Sequence, residues 1–403
     1  MKKPYLIIVT LLLVFLSSCS SDIESNLTIP DDFPMESTSM KLTLSEAKAI
    51  AVDSYQEFFK NDVARSQSSQ NLSVDECYCV TSNFDADTLM YVINFADSMG
   101  FALISPDRCE EPLAVVEKGF YNPSQETGNS DFDFYMQQLK EICRERSSQN
   151  NIALSRAPIS SGIGDVVSEV IAGPYCEVSW GQSGIYGTYC PNGIAGCNNT
   201  TLAQIFSIFE YPQVLDLTFN NSERLALNWS DIKQHQNGSS CELHSNEIHN
   251  NIAKIMRELG YRSGSIYEQD GTGTYPSNSA YLLQQLGFNV KLSEYSDDFV
   301  NQTIPLNKTG YLGVDIIVGY DPAQGGHMWM IDGYKDITKR YKNDLLNPGF
   351  DTGLDAEITY KTFHYNHFNW GWNGNYNGYF ISGDYKGAFY DFNQNVTLYS
   401  VSL

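Results

Sequence analysis

The stretch "GIAGCNNTTLAQIFSIF", residues 193–209, places a cysteine after a glycine and ahead of a helical pattern. Apolar residues recur every three to four positions from Leu202 to Phe209, which predicts an amphipathic helix that begins near Cys197. A helix N-terminus favours negative charge, so it lowers the pKa of a thiol placed there and promotes the reactive thiolate. Cys197 is either such a nucleophile or one more small core residue, and a catalytic partner must be found to decide between them.

A base for Cys197 must lie close in space rather than in sequence. The segment "GGHMWMIDGY", residues 325–334, places His327 after two glycines at the start of an alternating strand pattern. The glycines permit close approach of another segment, so His327 is the candidate base. His367 is the rival, but it lies two residues before Asn369, and side chains at those positions of a strand point in parallel. The other histidines are expected in structural or surface roles: His235, His244, His249 and His364.

Two polar residues complete a candidate catalytic set. Asn369, in "HFNWGWNGNYNGYF", ends an apparent strand before a turn-rich loop. It can accept a hydrogen bond from His327 while Trp370 shields that bond from water. Gln182, in "SWGQSGIYGTYCP", can donate its side-chain amide to an oxyanion beside the Cys197 backbone N–H. This set indicates nucleophilic catalysis at a carbonyl group, for which no metal or cofactor is expected.

The composition limits the classes of partner. The chain has 403 residues, of which 42% are apolar, enough for a sizeable core and two or three domains. Its 48 acidic and 25 basic residues give a net charge of -23, which repels phosphate backbones and anionic bilayers. Nucleic acid is therefore not an expected partner, and the acidity is interpreted as a solvated surface.

The N-terminus has the pattern of an export signal. Two lysines precede the apolar run Tyr5–Leu16, which is too short to span a bilayer but has the length of a signal-peptide core. The run ends in "LSSC", whose Cys19 resembles the lipidated cysteine of a bacterial lipobox; ordinary signal-peptidase cleavage with free secretion is the alternative. We expect residues 1–19 to be a lipoprotein signal peptide and residues 20–40, rich in Ser, Asp and Pro, to be a tether.

The pattern after residue 40 predicts two folded units. In the first, 41–145, "TLSEAKAIAVDSYQEFF" predicts a helix capped by Thr43 or Ser45, strand-like runs follow, and "FDFYMQQLKEIC" predicts a closing helix. Residues 146–170 begin with a polar, weakly periodic stretch and are predicted to be an exposed linker. The second and larger unit is 171–403.

The remaining cysteines indicate neither a disulfide framework nor a zinc site. The chain has nine cysteines, and seven remain without Cys19 and Cys197, so they cannot all pair. Their spacing and the histidines near them do not match zinc ligands. Cys77 and Cys79 are most simply alternate residues of a strand. One or two disulfide bridges stay open for an exported protein.

The ordered set of motifs resembles the streptopain family of bacterial cysteine proteases, which have a papain-like fold. The matching segments are those around Gln182, Cys197, His327 and Asn369, together with "AQIFSIFEYP", "IMRELGY" and "LLQQLGFN". Upstream, "LMYVINFADSMGFALISPDRCEEPLAVVEKGFY" is similar to the inhibitory propeptide of that family. The resemblance covers most of the chain after residue 40. "GCNNTTLAQI" departs from it, since small apolar residues are usual after the family's cysteine.

The resemblance implies an α+β protein, in which a papain-like catalytic domain follows a small α+β inhibitory propeptide domain. It implies a zymogen that cleaves itself in the linker and becomes a broad-specificity endopeptidase for protein or peptide substrates, without metal or cofactor. The roles that it implies are nucleophile for Cys197, base and then acid for His327, imidazole orientation for Asn369, oxyanion donor for Gln182, shield for Trp370, and substrate contacts for Gly326, Trp370 and Ser277.

Two other classes of function stay open. A Cys-His-Asn set also serves amidases and acyltransferases, and the latter would ligate an added amine. A non-catalytic lipoprotein that binds or inhibits another protease would show no thiol-dependent turnover. The expected location is that of an exported bacterial lipoprotein at the outer membrane or cell surface, held by its lipid anchor alone, or released after propeptide cleavage.

Overall fold

The computed structural model describes residues 41–60, 72–82, 87–107, 111–153, 164–234, 243–305, 312–321, 325–343, 357–382 and 397–403. The predicted signal peptide, the lipidation residue Cys19, the tether and the centre of the predicted linker lie outside these ranges. Within them, no helix has both the length and the apolarity needed to cross a membrane.

Helices and strands are mixed along the chain, in agreement with the predicted α+β class. The α-helices are α1 (Leu44–Phe58), α2 (Ser130–Ala153), α3 (Cys197–Phe209), α4 (Trp229–Gln234), α5 (Leu243–Arg262), α6 (Pro276–Gln285) and α7 (Asp297–Thr303). The strands are β1 (Val74–Thr81), β2 (Thr88–Phe95), β3 (Phe101–Ile104), β4 (Pro112–Val116), β5 (Asp165–Ala172), β6 (Val214–Leu217), β7 (Glu223–Ala226), β8 (Ile266–Tyr267), β9 (Thr272–Gly273), β10 (Asn289–Ser293), β11 (Gly313–Asp321), β12 (Gly325–Asn343), β13 (Glu357–Asn369), β14 (Gly378–Ser382) and β15 (Thr397–Ser402).

The N-terminal part of the structure, residues 41–153, begins as its sequence predicts. Thr43 is the N-cap of α1: its side chain accepts from the N–H of Glu46, whose carboxylate accepts from the N–H of Thr43. This capping box satisfies N–H groups that the start of a helix leaves open. The predicted apolar residues Ala47 and Tyr55 are buried. Helix α1 therefore packs its apolar face on strands β2 to β4.

One antiparallel sheet joins the N-terminal part to the rest of the chain. Its strand order is β1-β2-β3-β4-β14-β13-β12-β11-β15-β10, with β5 also paired to β12. The junction is the pair β4–β14, in which Val116 lies opposite Gly378. The two folded units predicted from the sequence thus share a sheet, and Met40–Leu403 forms one structural unit.

Strand β12 separates two hydrophobic cores. It pairs with β13 on one side and with β11 and then β5 on the other. Side chains of a strand alternate between its faces. Trp329 and Ile331 pack with the aromatic residues of α2, whereas Met328 and Met330 pack with the apolar residues of α3. The candidate site lies where β12 begins, between these two cores.

Regular structure occupies both ends of the predicted linker, 146–170. Helix α2 continues to Ala153, because a nucleated helix propagates at little cost and needs no apolar stripe in its last turns. Strand β5 begins at Asp165 and is held by main-chain pairing with β12, while Val166 and Val167 on it are exposed. Its sequence therefore lacks the apolar alternation of a half-buried strand, and a processing site in this region stays a prediction.

Six cysteines lie in the described part of the chain, and no disulfide bond joins any two of them. Cys77 and Cys79 lie on β1, which confirms that they occupy a strand. The six cysteines, none of which forms a disulfide bond within the described ranges, are Cys77, Cys79, Cys143, Cys176, Cys190 and Cys197.

Candidate active site

Cys197 is the first residue of α3, as the sequence predicts. Gly196 before it is the N-cap and has φ 85°, a conformation that residues with a side chain rarely adopt. A Cβ added to Gly196 would lie 2.8 Å from the carbonyl oxygen of Thr272. Glycine is therefore required at this turn, which brings Cys197 to the N-terminus of the helix.

Hydrogen bonds fix the segment that precedes the cysteine. The N–H of Ala195 donates to the carbonyl of Gln182 at 2.7 Å, and the carbonyl of Ala195 accepts from Nδ2 of Asn199 at 2.8 Å. Oγ1 of Thr272 donates to the carbonyl of Ile194 at 2.7 Å. The segment is thus held by α3 itself, by the chain at Gln182 and by the β8–β9 hairpin.

Cys197 and His327 line the same cleft, which has a volume of about 500 Å³. The β8–β9 hairpin and the start of α6 form one wall, and β11 and β12 form the other. Gly326 lines the cleft, as its predicted contact with substrate requires. Ser277 is exposed at the start of α6 and does not line the cleft, whereas the two residues before it, Tyr275 and Pro276, do.

The His327 side chain is held by α2 of the N-terminal part. It is 4% exposed, and its ring stacks on Phe134 with 4.9 Å between ring centroids and an interplanar angle of 21°. Its Nδ1 lies 2.9 Å from Oδ1 of Asp131. Its Nε2 is buried and has no hydrogen-bond partner among the described residues. The imidazole is therefore engaged by a helix that the sequence did not connect with it.

A single carboxylate contacts two of the predicted catalytic residues. While Oδ1 of Asp131 pairs with His327, its Oδ2 accepts from Nε2 of Gln182 at 3.1 Å. The side chain of Asn129 caps α2 and accepts from the N–H of Asp131 at 3.2 Å, which fixes the start of the helix. Asp131 is 1% exposed and lies 51 and 196 residues from its two partners. No local sequence pattern points to this residue.

The surroundings of Cys197 favour the protonated thiol. Burial raises the pKa of Cys197, and the negative charge of Asp131 raises it further. The backbone N–H groups of Asn198 and Cys197, at the helix N-terminus, and of Met328, on β12, lower the pKa, but the net shift is upward. The thiolate predicted from the helix position alone is therefore disfavoured in this arrangement.

Asn369 is not brought to His327 in this structure. It ends β13 as predicted, but its Oδ1 accepts from Nε2 of Gln204 on α3 and from the N–H of Gly371, each at 3.1 Å. These contacts lie on the α3 side of the sheet, whereas His327 contacts α2. The predicted hydrogen bond between His327 and Asn369 is absent in this arrangement, in which Nδ1 of His327 pairs with Asp131.

Trp370 is fully buried in an aromatic cluster beneath α2. Its ring centroid lies 5.0 Å from that of Trp329 and 5.7 Å from that of Phe132. Its Nε1 donates to the carbonyl of Tyr376 at 2.8 Å. Trp370 does not line the cleft, so the predicted substrate contact is not made from this position.

His367, the rival histidine, also lies outside the cleft. Its Nδ1 is 2.6 Å from Oδ1 of Asp332, and its Nε2 is 2.8 Å from Oε1 of Glu117. Burial lowers the pKa of His367, but the two carboxylates outweigh burial and raise the pKa to about 10. An imidazole that stays charged at neutral pH is a poor general base. The geometry therefore favours His327 of the two.

The other histidines within the described residues are not among those that line the cleft. His364 lies on β13 with its Nδ1 2.9 Å from Oδ1 of Asp336, His244 and His249 belong to α5, and His235 lies outside the described residues. Within the described ranges, no group of three or more His, Cys, Asp or Glu side chains is placed to hold a metal ion.

The comparison with protein families agrees with this geometry. Residues 180–380, which contain Gln182, Cys197, His327 and Asn369, match the model of the Peptidase C10 family. This chain is a cysteine peptidase. No curated protein matches the peptidase.

A solved structure shares the fold over most of the peptidase. A fragment of Prevotella intermedia prointerpain A with a cysteine-to-alanine substitution is 20% identical with a TM-score of 0.50, over 81% of this chain and 98% of that chain. Active wild-type interpain A cysteine protease of Prevotella intermedia is 21% identical with a TM-score of 0.37, over 59% of this chain and 98% of that chain.

Proposed function

We propose that the peptidase is an exported, lipid-anchored cysteine endopeptidase made as a zymogen, which hydrolyses peptide bonds of protein substrates. Cys197 is the nucleophile, His327 the base and then acid, Gln182 the oxyanion donor, and Asn369 orients the imidazole. The observation that carries the proposal is the contact of one carboxylate, that of Asp131, with both His327 and Gln182. The similar solved structure is that of prointerpain A, whose name denotes a precursor, and this agrees with a zymogen.

In the mature enzyme, His327 takes the proton of the Cys197 thiol, and the thiolate attacks the peptide carbonyl. The oxyanion forms between the side-chain amide of Gln182 and the backbone N–H of Cys197. The hydrogen bond from Ala195 to the Gln182 carbonyl fixes these two donors relative to each other in advance. The imidazolium protonates the leaving amine and then, as a base, activates the water that releases the acyl group.

Asp131 opposes each of these steps in the zymogen. Its Oδ1 engages Nδ1 of His327 and holds the imidazole against α2. Its Oδ2 accepts a hydrogen bond from the Gln182 side-chain amide, the donor that the oxyanion needs. Its negative charge adds to the burial that raises the pKa of Cys197. Departure of the N-terminal part therefore releases the nucleophile, the base and the oxyanion donor together.

Cleavage of the linker is only the first step of activation in this proposal. The N-terminal part is also held by the pairing of β4 with β14, by the packing of Tyr135 on Trp370, and by the ion pair between Glu117 and His367. None of these contacts depends on an intact chain between α2 and β5. Dissociation must follow cleavage before the cleft is free.

The proposed location rests on the sequence of the first 40 residues. Export by the signal peptide and lipidation of Cys19 place the folded peptidase outside the cytoplasm, tethered by acyl chains at the outer membrane or cell surface. Cleavage in the linker separates Cys19 from the catalytic residues. Dissociation of the N-terminal part after cleavage would therefore both activate the enzyme and release it from the membrane.

The test is intact mass over time for residues 20–403, wild type beside Cys197→Ala, under reducing conditions. We expect the wild type to lose its N-terminal part and Cys197→Ala to stay intact, with equal melting temperatures at the start. If neither chain changes, and a peptide library and a thiol-directed epoxide leave the wild type unchanged, the binding lipoprotein is favoured. Ligation of an added amine in place of hydrolysis would indicate an acyltransferase.

A further inference from the structure

Helix α3 carries polar side chains on its buried surface in the turns that follow Cys197. Asn199, Thr200 and Gln204 are all fully buried. Burial of an amide or hydroxyl is unfavourable unless the group is hydrogen-bonded, and the buried side of a core helix is ordinarily apolar. The partners of these side chains therefore indicate what the helix holds in place.

Each side chain reaches a different segment of the candidate site. The contacts are Asn199 Nδ2 to the carbonyl of Ala195 at 2.8 Å, Thr200 Oγ1 to the carbonyl of Gly181 at 3.3 Å, and Gln204 Nε2 to Oδ1 of Asn369 at 3.1 Å. Helix α3 thus connects the segment before the nucleophile, the segment of the oxyanion donor and the asparagine.

The contact between Gln204 and Asn369 spans 165 residues of sequence. An amide oxygen has two lone pairs, and Oδ1 of Asn369 uses both of them. One accepts from Gln204, and the other accepts from the N–H of Gly371 at 3.1 Å. The two donors fix which end of the Asn369 amide is the oxygen and where that oxygen lies, before the imidazole reaches it.

Gln204 is poorly suited to packing alone. Its Oε1 is buried and has no hydrogen-bond partner within the described ranges. A buried acceptor without a partner is destabilising, whereas a methionine of similar volume would fill the space without that penalty. The side-chain N–H of Gln204 is therefore the part of this residue that contributes to the structure, through its hydrogen bond to Asn369.

We propose that Gln204 is a positioning residue for the thiol chemistry. From the helix that begins at Cys197, it fixes the position of the side-chain oxygen of Asn369. Once the N-terminal part has left, the imidazolium N–H of His327 replaces the N–H of Gly371 at the second lone pair, so that this oxygen becomes the acceptor for the imidazolium. This inference rests on the proposed function. Because one helix carries the nucleophile and holds the acceptor, the separation between the two stays constant during turnover.

The test compares Gln204→Met, Gln204→Glu and Thr201→Val, made in the full chain and studied after self-processing. Methionine keeps the volume and removes the donor. Glutamate keeps the shape and, when ionised, brings an acceptor against the oxygen of Asn369. Thr201 is the matched control, because it is fully buried on the same helix and its hydroxyl has no hydrogen-bond partner among the residues described.

In Gln204→Met, we expect kcat to fall about 10- to 100-fold at an unchanged KM, as for a catalytic group misplaced by roughly 1 Å. The fixed acceptor stabilises the protonated imidazole, so the alkaline limb of the pH profile of kcat/KM should move to lower pH in Gln204→Met. In Gln204→Glu the new carboxylate itself stabilises a nearby imidazolium, so the readout there is a fall in kcat. Thr201→Val should keep the wild-type profile. In an Asn369→Ala background, Gln204→Met should have no further effect, because the two residues act as a pair.

A folded Gln204→Met with the wild-type kcat and pH profile overturns the inference, as does an undiminished effect in the Asn369→Ala background. If Gln204→Met does not fold, Gln204→Glu answers the same question. The proposed function fails separately, if the wild type neither processes itself nor cleaves peptides. In that case the rate of alkylation of Cys197 by iodoacetamide is compared across the variants from about pH 5 to 10, and identical profiles overturn the inference.

Discussion

Oδ1 of Asp131 lies 2.9 Å from Nδ1 of His327, although 196 residues separate them in the sequence. Asp131 belongs to the first turn of α2, and His327 stands at the start of β12, beside the cleft. Because the second oxygen of the same carboxylate accepts from Gln182, a single side chain of the N-terminal part restrains the proposed base and the proposed oxyanion donor together.

Asp131→Ala should make Cys197 more reactive in the full chain. Loss of the carboxylate removes one cause of the raised pKa of Cys197 and frees His327. Each unit by which that pKa falls increases the thiolate fraction about tenfold. We expect faster alkylation by iodoacetamide at neutral pH and faster self-processing, measured by intact mass. Asp133→Ala is the control, since the Asp133 carboxylate bonds to Thr127, and equal rates in wild type and Asp131→Ala would contradict the prediction.

Gly196→Ala should lower both activity and stability. Its Cβ would meet the carbonyl oxygen of Thr272 at 2.8 Å, in a backbone conformation with positive φ. Gly193→Ala is the matched control, because Gly193 also has positive φ but has nothing within 4 Å of an added Cβ. We expect Gly193→Ala to cost only the strain of about 1–3 kcal/mol. Melting temperature and kcat/KM are measured for both variants. An equal kcat/KM in Gly196→Ala and Gly193→Ala would show that the tight turn at Gly196 does not contribute to catalysis.

Gln182→Ala should reduce kcat of the processed enzyme about 10²- to 10³-fold with little change in KM, the usual effect of losing one oxyanion donor. In the full chain it should slow self-processing, in contrast to Asp131→Ala, because it removes a catalytic group along with a partner of Asp131. Gln213→Ala, at an exposed position of the same domain, is the control. A loss of kcat below about threefold, far short of that usual effect, would remove Gln182 from the proposed set.

The ion pair between His367 and Glu117 should make stability depend on pH. Asp332 and Glu117 raise the pKa of His367 from 6.5 to about 10 in the folded protein, against the effect of burial. A pKa that is higher in the folded state contributes stability that is fully present below about pH 6.5 and is lost as the pH rises through about 10. The melting temperature of the full chain should therefore fall across this range.

Glu117→Gln tests this contribution directly. It leaves the buried imidazolium with one carboxylate, so we expect the free energy of unfolding to fall by about 1.5–3 kcal/mol near pH 6 and the pH dependence to become shallower. Glu126→Gln, at an exposed position of the same N-terminal part, should behave as the wild type. Parallel stability curves for wild type and Glu117→Gln would show that the pair does not contribute.

Features that depend on neighbouring residues were predictable from the sequence. The helix start at Cys197, the cap of α1 at Thr43 and the strand that carries His327 near its start each follow from a few residues of spacing, turn and cap chemistry. The end of the strand at Asn369 follows from the turn residues after it. Local periodicity is sufficient for such elements because their hydrogen bonds close within a few residues.

Contacts made across the fold were not predictable in the same way. The pairing of β4 with β14, the engagement of His327 by Asp131, and the hold of Gln204 on Asn369 each depend on which distant segments the topology brings together. The expected bond between His327 and Asn369 fails for this reason, since a residue of the N-terminal part competes for the imidazole.

Strand β14, Gly378–Ser382, is completely buried between β13 and β4. Departure of the N-terminal part would turn it into a sheet edge whose sequence, "GYFIS", contains no charge and no proline. Natural proteins protect such edges because open main-chain groups beside apolar side chains recruit other chains. The N-terminal part therefore covers an edge that would otherwise be open to pairing with other chains. We expect the mature form to aggregate sooner than its precursor, so that activation would also limit the working lifetime of the enzyme.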